Sequence, residues 1–170
     1  MYCRRLGLNI KLTLMAGSVI FKTNSSVQTK KIAGILASEL LKTKMKKNAL
    51  VLALSGELGS GKTTFTQGLA KGLGMKEKIK SPTFLIIKSY KLRVKNFKNF
   101  IHIDAYRLKK PKDILALGWR EMSGDTKNII VIEWAKHIAK ILPAHHIDIN
   151  FKHIPENKRK ITLGHAVSKW

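Results

Sequence analysis

The chain is short of cysteine, of long apolar runs and of acidic residues. Its single cysteine, Cys3, can close no intrachain disulfide, which is typical of a reducing compartment, and we expect a cytoplasmic protein. No apolar run approaches the roughly 20 residues that a membrane-spanning helix needs, so we expect no membrane association. What is present is a chain of 170 residues with ordinary apolar content, which suffices for one domain with a buried core.

The shortage of acidic residues leaves the chain strongly basic. Lysine and arginine number 33 against 10 aspartates and glutamates, which gives a formal net charge of +23 at pH 7. Such a charge favours a polyanionic partner, either nucleic acid or an acidic protein. The alternative is a general compositional bias towards lysine, because the positive charge is spread along the whole chain rather than gathered into one tract.

Apolar runs and helical patterns alternate along the chain. ALVLALS (Ala49–Ser55) and IIVIE (Ile129–Glu133) are typical of strands buried on both faces, and SVIFK, PTFLIIKSY and FIHID predict further strands. Helical patterns follow TNSS and the glycine-rich loop GELGSGKT, and PKDILALGW and WAKHIAKIL predict shorter helices. HIDINF and RKITLGH alternate as an antiparallel hairpin would. The sequence predicts an α/β protein with a mostly parallel central sheet, antiparallel additions and flanking helices.

We divide the chain into two parts. Residues 1–17 are interpreted as an N-terminal extension, either a disordered arm or the product of an upstream start codon. Residues 18–170 are interpreted as one domain, because no low-complexity linker or internal repeat interrupts them.

The segment GELGSGKT matches the phosphate-binding loop pattern, which makes the expected fold P-loop NTPase-like. Gly56, Gly59 and Gly61 allow backbone amides to approach phosphate oxygens, and the following helix points its N-terminus at the same anion. Lys62 would reach the β- and γ-phosphates, and the Thr63 hydroxyl would bind Mg²⁺. The predicted ligand is a nucleoside triphosphate.

Two acids stand where predicted strands end, Asp104 after FIHI and Glu133 after IIVI. Carboxylates at these positions are candidates for holding Mg²⁺ and positioning water, which gives Lys62, Asp104 and Glu133 as catalytic residues. The alternative for each acid is that it caps the following helix. Ser81 and Thr83, in KSPTF, are placed where a switch segment would approach the γ-phosphate, or else belong to an ordinary turn around Pro82.

The motifs GELGSGKTTFTQGLAKGLG, KSPTF, IHIDAYRL, LGWREM and IIVIEW, in this order, resemble the bacterial TsaE (YjeE) family. The resemblance implies a Mg²⁺-dependent ATPase required for threonylcarbamoyladenosine modification at position 37 of tRNAs that read ANN codons. It implies TsaB and TsaD as protein partners, with ATP and Mg²⁺ as cofactors and tRNA as a further candidate contact within the complex.

The resemblance also implies the roles of individual residues. Thr63, Glu133 and Asp104 would bind the metal, Trp134 would lie beside the site, and Ser26 would lie near the nucleotide base. The residues assigned to nucleotide binding are Ser26, Gly56, Leu58, Gly59, Ser60, Gly61, Lys62, Thr63, Thr64, Thr83 and Trp134.

Three rival functions share the same phosphate-binding loop. A small GTPase would need an Asn-Lys-x-Asp segment, which the sequence lacks. A nucleoside or metabolite kinase of the P-loop class would need an acceptor pocket and an arginine-rich lid, for which the middle of the chain offers Arg93, Arg107 and Arg120. A regulatory module, in which ATP controls docking and hydrolysis is incidental, would share the same loop.

Overall fold

The strands form where the sequence is apolar or alternating, and they assemble into one mixed sheet. The computed structural model describes residues 11–15, 18–45, 47–155 and 158–165. Within these residues the strands are β1 (Lys11–Met15), β2 (Ser18–Thr23), β3 (Leu50–Gly56), β4 (Ile87–Lys91), β5 (Asn99–Asp104), β6 (Asn128–Glu133), β7 (Ile147–Ile154) and β8 (Lys158–His165). Their order across the sheet is β1-β2-β8-β7-β3-β6-β5-β4.

The centre of the sheet is parallel and its two flanks are antiparallel. β3 pairs in parallel with β6 and with β7, and β5 pairs in parallel with β6. β4, β8, β2 and β1 are added through antiparallel pairs. The predicted α/β class, with its mostly parallel centre and antiparallel additions, is therefore confirmed. Parallel pairing also brings the carboxyl ends of β3, β5, β6 and β7 to one edge of the sheet, where α/β folds bind ligands.

Every residue of β6 is buried, and so is every residue of β3 except Gly56, because helices cover both faces of the sheet centre. On one face, Leu52 and Leu54 of β3 pack with residues of the two long helices, α1 (Ser26–Leu40) and α2 (Lys62–Gly72). On the other face, Val51 packs with α3 (Pro111–Leu115) and α4 (Trp119–Gly124). Alternate residues of one apolar run thus serve two separate cores.

Helix α1 begins as the sequence predicts and lies unusually close to α2. The Ser25 hydroxyl accepts a hydrogen bond from the Gln28 amide at 3.2 Å, so Ser25 is the N-cap of α1. A Cβ on Gly68 of α2 would lie 2.5 Å from the Lys30 Cα of α1, and a Cβ on Gly72 would meet Gly34 in the same way. These glycines allow the two helix backbones to approach each other, which fixes α2 behind the glycine-rich loop.

Two elements differ from the sequence predictions. PTFLIIKSY was expected to be a strand throughout, but its first part is a turn in which the Leu85 and Ile86 amides both donate to the Pro82 carbonyl, at 2.8 and 2.6 Å. WAKHIAKIL was expected to be an α-helix, but Ala135–Ile141 is a 3-10 helix interrupted at Ile138. A second, shorter 3-10 helix, Ala105–Arg107, follows β5. All three segments adjoin the carboxyl edge of the sheet.

The N-terminal extension assigned to residues 1–17 lies partly outside the described residues. Lys11–Met15 is described and forms the antiparallel edge strand β1 beside β2, while residues 1–10, 16 and 17 are not. Among the described helices, none is both long and apolar enough to cross a bilayer.

Candidate functional site

The loop between β3 and α2 depends on glycine for its shape. Gly56, Gly59 and Gly61 have φ angles of 146°, 74° and 102°, which residues with a side chain rarely adopt. A Cβ on Gly56 would also lie 2.5 Å from the Phe151 carbonyl oxygen, because β7 passes directly beside the loop. The loop therefore curls in front of α2 and leaves the first amides of that helix free to meet an anion.

Lys62 holds its ammonium group inside this loop. Its Nζ donates to the carbonyl oxygens of Gly56 at 2.9 Å and of Glu57 at 2.8 Å, and it lies 4.0 Å from the centre of the Trp134 ring. Burial lowers the pKa of Lys62 below that of an ordinary lysine, while the carboxylates of Glu133 and Asp104 act in the opposite direction. The result is a buried ammonium group held by two carbonyl oxygens of the glycine-rich loop.

The two predicted acids lie side by side. Asp104 and Glu133 are register partners at the ends of β5 and β6. The Thr63 hydroxyl donates to Glu133 Oε2 at 2.9 Å, which joins the first turn of α2 to the end of β6. Both acids are nearly fully buried, each with 3% of its surface exposed. The sheet register and the Thr63 hydrogen bond together gather the three residues predicted to bind a metal, Thr63, Asp104 and Glu133.

Asp104 is tied to the segment that precedes β4. The Ser81 and Thr83 hydroxyls both donate to Asp104 Oδ2, at 2.9 and 2.5 Å, and the Tyr106 amide donates to Oδ1 at 3.0 Å. Thr83 is therefore part of the site, through a hydroxyl–carboxylate contact. The hydrogen bond to Asp104 also makes Ser81 part of the site, which its sequence context alone did not distinguish from an ordinary turn.

A cavity of about 450 Å³ opens in front of these groups. Of the residues assigned to nucleotide or metal binding, those that line it are Leu58, Gly59, Gly61, Lys62, Thr63, Thr64, Thr83, Asp104, Glu133 and Trp134. Three others do not. Ser60, within the loop, is fully buried, Gly56 lines a neighbouring cavity, and Ser26 lies exposed at the first turn of α1.

The oxygen-rich lining fits a hard divalent cation. Two carboxylates and the hydroxyls of Thr63, Ser81 and Thr83 are the kinds of group that Mg²⁺ prefers. Within the described residues, no three histidine, cysteine or acidic side chains are grouped closely enough to hold a metal by themselves. A cation at this site would therefore share its coordination with phosphate oxygens and water, as Mg²⁺ does in nucleotide sites.

Trp134 forms one wall of the cavity in a strained conformation. Its φ of 59° is left-handed, which is uncommon for a bulky residue. Its ring lies 5.1 Å from that of Tyr106 and 6.0 Å from that of His137, and His137 Nδ1 lies 2.9 Å from the Ala105 carbonyl oxygen. These contacts hold the indole against Lys62.

Two functional candidates escaped the sequence analysis. His102 Nε2 lies 2.9 Å from Glu133 Oε1, in the buried interior of β5. The signal was a polar residue two positions before Asp104 in an otherwise apolar strand, which places both side chains on one face. Arg159 of β8 lies beside the loop, with Cδ and Nε each 3.4 Å from the position that a Gly61 Cβ would occupy. Its signal was only another basic residue in a basic chain.

A strand, a glycine-rich loop over a helix N-terminus, a buried lysine and two strand-terminal carboxylates together define a P-loop nucleotide-binding fold. Comparison with known proteins is more specific. The family model described as threonylcarbamoyl adenosine biosynthesis protein TsaE matches residues 23–161. The chain belongs to the TsaE family.

Individual relatives agree with this membership. The chain is 40% identical over 141 residues to a tRNA threonylcarbamoyladenosine biosynthesis protein TsaE of Rickettsia felis, covering 82% of this chain and 76% of that protein. It is 35% identical over 143 residues to the TsaE of Bacillus subtilis, covering 84% and 83%. The crystal structure of Bacillus subtilis YdiB superposes with a TM-score of 0.66 and 28% identity, covering 93% of this chain and 92% of that one.

Proposed function

We propose that this protein is a Mg²⁺-dependent ATPase that acts with TsaB and TsaD in threonylcarbamoyladenosine modification at position 37 of tRNAs reading ANN codons. The observation that carries the proposal is the convergence of Lys62, Thr63, Asp104 and Glu133 on one cavity. The role in tRNA modification follows from the TsaE family. The hydrolytic activity is proposed from the chemistry of the site.

The glycine loop would bind the triphosphate through backbone amides and the Lys62 ammonium. That ammonium now donates to the carbonyl oxygens of Gly56 and Glu57, and a phosphate placed over the loop would offer it a charged acceptor instead. Bound Mg²⁺ would supply charge neutralisation between the phosphates. Thr63 and Glu133 would hold the cation, directly or through water.

Asp104 is the candidate for positioning the attacking water. Its Oδ2 already accepts hydrogen bonds from Ser81 and Thr83, so the carboxylate is fixed in orientation and connected to the turn before β4. A change in that turn would alter the hydrogen bonding of Asp104. The arrangement therefore offers a route by which a partner that contacts the turn could control hydrolysis.

We expect slow hydrolysis by the isolated protein. Among the described residues, Lys62 is the only basic side chain that lines the cavity. Arg107 lies with its guanidinium 4.7 Å from the Phe84 ring, and Arg159 lies beside Gly61, but neither side chain lines the cavity. Without an arginine at the γ-phosphate, a P-loop hydrolase lacks a contribution worth roughly 10³–10⁵ in kcat.

Exposed apolar residues beside the cavity support a protein partner. Leu58, which lines the cavity, is 83% exposed, and Phe84, which follows the lining residue Thr83, is 84% exposed. Leu85 beside it is 70% exposed. Exposed apolar groups concentrated at one place are typical of a docking surface. We propose that TsaB and TsaD, acting together, cover this rim.

The sheet carries a row of lysines that is a candidate contact for tRNA. Lys22 and Lys152 are both register partners of Lys160, so three lysines lie directly opposite one another across β2, β8 and β7. Like charges placed opposite on neighbouring strands are unfavourable, and an RNA phosphate backbone would offset their repulsion. We propose this row as the tRNA contact within the complex.

A charge-matched experiment tests the lysine row. Replacing Lys22, Lys152 and Lys160 by glutamine should weaken tRNA binding and lower the slope of log affinity against log salt by about 2, at roughly 0.7 per phosphate contact. The control removes the same charge from another exposed part of the surface, at Lys71, Lys76 and Lys78. Equal loss in the two variants would show that only the overall charge matters.

The central experiment measures ATP and GTP hydrolysis with and without TsaB and TsaD. The proposal expects slow ATP hydrolysis that rises when both partners are added, with ATP preferred to GTP. Rapid turnover of the isolated protein would contradict it. Nucleotide-dependent binding to the partners with no stimulated turnover would favour the regulatory module. Phosphate transfer to a nucleoside or metabolite would favour the kinase, although a basic lid over the cavity is not seen in the described residues.

A further inference from the structure

His102 is a buried polar residue to which the proposed function assigns no role. It lies in the interior of β5 and has no exposed surface. It faces the same side of the sheet as Asp104, two residues on, and as Glu133, the register partner of Asp104. Its Nε2 lies 2.9 Å from Glu133 Oε1, and its Nδ1 has no hydrogen-bond partner among the described residues.

The chemistry of the pair fixes the direction of this hydrogen bond. An ionised carboxylate only accepts, so Nε2 carries the hydrogen and donates it to Glu133. The other ring nitrogen then needs no donor function, which fits its lack of a partner. A buried imidazole with one unsatisfied nitrogen costs free energy that an apolar residue of similar size would not. That cost calls for a compensating role.

We propose that His102 is a positioning residue for Glu133. By holding Oε1, it leaves Oε2 directed at Thr63, whose hydroxyl lies 2.9 Å from that oxygen. When Thr63 turns its oxygen towards a cation, Glu133 loses this partner, and His102 remains as its fixed anchor. A glutamate carries one more rotatable bond than an aspartate, so it has more to gain from being anchored.

This inference rests on the proposed Mg²⁺ site, where outer partners of a ligating carboxylate orient it towards the metal. Such partners typically account for 10- to 100-fold in metal affinity or activity. His102 would thus tune the site without touching nucleotide or metal.

Three substitutions separate positioning from packing. In His102→Gln the side-chain amide nitrogen lies near the place of Nε2 and keeps the donor, whereas in His102→Asn it lies near the place of Nδ1 and cannot reach Glu133. His102→Leu fills the space with no donor. Phe100→Leu, on the same face of the same strand, is the control for a disturbed core.

The main measurement is the affinity of the ADP complex for Mn²⁺, monitored by electron paramagnetic resonance. A parallel measurement gives the Mg²⁺ concentration for half-maximal ATP hydrolysis. We expect His102→Asn and His102→Leu to weaken metal binding by about 10-fold or more, and His102→Gln to stay within about threefold of the original protein. ADP affinity in the presence of a chelator should change less than about twofold in all three, since Glu133 does not hold the phosphates. Metal binding by His102→Leu or His102→Asn that equals the original protein would overturn the inference.

A second measurement does not require any variant to fold. Nitrogen NMR of the unaltered protein reports which ring nitrogen of His102 carries the hydrogen, and we expect Nε2. A hydrogen on Nδ1 alone would overturn the inference, because Nε2 could then not donate to Glu133. If the unaltered protein bound no Mn²⁺ with ADP and hydrolysed no ATP, the proposed function itself would fail. Equal metal binding by the unaltered protein and the variants would instead refute only the role of His102.

Discussion

Replacing Thr63 by valine removes the hydroxyl that links α2 to Glu133 and leaves the shape of the side chain nearly unchanged. The hydrogen bond from Thr63 to Glu133 Oε2 is 2.9 Å long and goes to a buried carboxylate. A hydrogen bond to a charged group contributes about 1.5–3 kcal/mol. Glu133 keeps its contact with His102, so we expect the lower end of that range for the free protein.

The expected loss of stability is measurable by thermal unfolding. For a chain of this size, about 1.5 kcal/mol corresponds to a fall in Tm of roughly 3–6 °C. The effect on hydrolysis should be larger, because Thr63 is also a proposed ligand of Mg²⁺. A loss of 1.5–3 kcal/mol of transition-state stabilisation lowers kcat/KM about 10- to 150-fold.

The assay is steady-state ATP hydrolysis over a range of Mg²⁺ concentrations, with nucleotide binding measured separately in a chelator. Thr63→Ser is the matched control, since it keeps the hydroxyl and should retain most of the activity. Nucleotide binding without Mg²⁺ should change little in either variant. Full Mg²⁺-dependent activity in Thr63→Val would refute the placement of the cation between Thr63 and Glu133.

Two further predictions concern the helix pair and the buried lysine. Gly68→Ala should lower the free energy of unfolding by about 1–3 kcal/mol, measured by chemical denaturation, because its Cβ would lie 2.5 Å from the Lys30 Cα. Gly124→Ala is the control, because a Cβ at that position meets nothing within 4 Å. Equal stability of the two variants would contradict the close approach of the helices. Because burial lowers the pKa of Lys62, nucleotide affinity should fall with rising pH before an ordinary lysine near 10.4 would lose its proton, and Lys62→Met should remove that part of the pH dependence. The nucleotide-free protein should gain stability over the same rise in pH, since its unfolded state then binds more protons at this lysine than the folded state does.

The sequence was sufficient for the elements whose signals are local. The apolar run before the glycine loop, the loop itself and the strand ending at Glu133 are confirmed where expected. β3 and β6, the two runs that are apolar throughout, are buried strands as their composition predicts, and the structure pairs them in parallel. These features depend on the hydrophobic pattern and on the positions of glycine, both of which can be recognised from a few consecutive residues.

Other features depend on contacts between distant segments. The strand expected over PTFLIIKSY is shortened because the Pro82 carbonyl captures two amides in a turn, and no residue pattern distinguishes that turn from an edge strand. The contact between His102 and Glu133 depends on how β5 and β6 are aligned, since a shift of one residue would turn the imidazole to the other face. Sequence patterns predict which residues form strands more readily than how two strands are aligned.

The adjacent carboxylates have a consequence for which form of a nucleotide the proposed site would accept. The chain as a whole carries a formal charge of +23, which would favour the approach of any polyphosphate, yet two of its 10 acidic residues occupy neighbouring strand ends in the cavity beside the loop. Bare ATP would bring its own negative charges against both of them. ATP that arrives with its cation already attached would not, so we expect the site to discriminate between the two. The basic surface would then raise the association rate of any nucleotide, and the acidic pair would select for nucleotide that carries a cation.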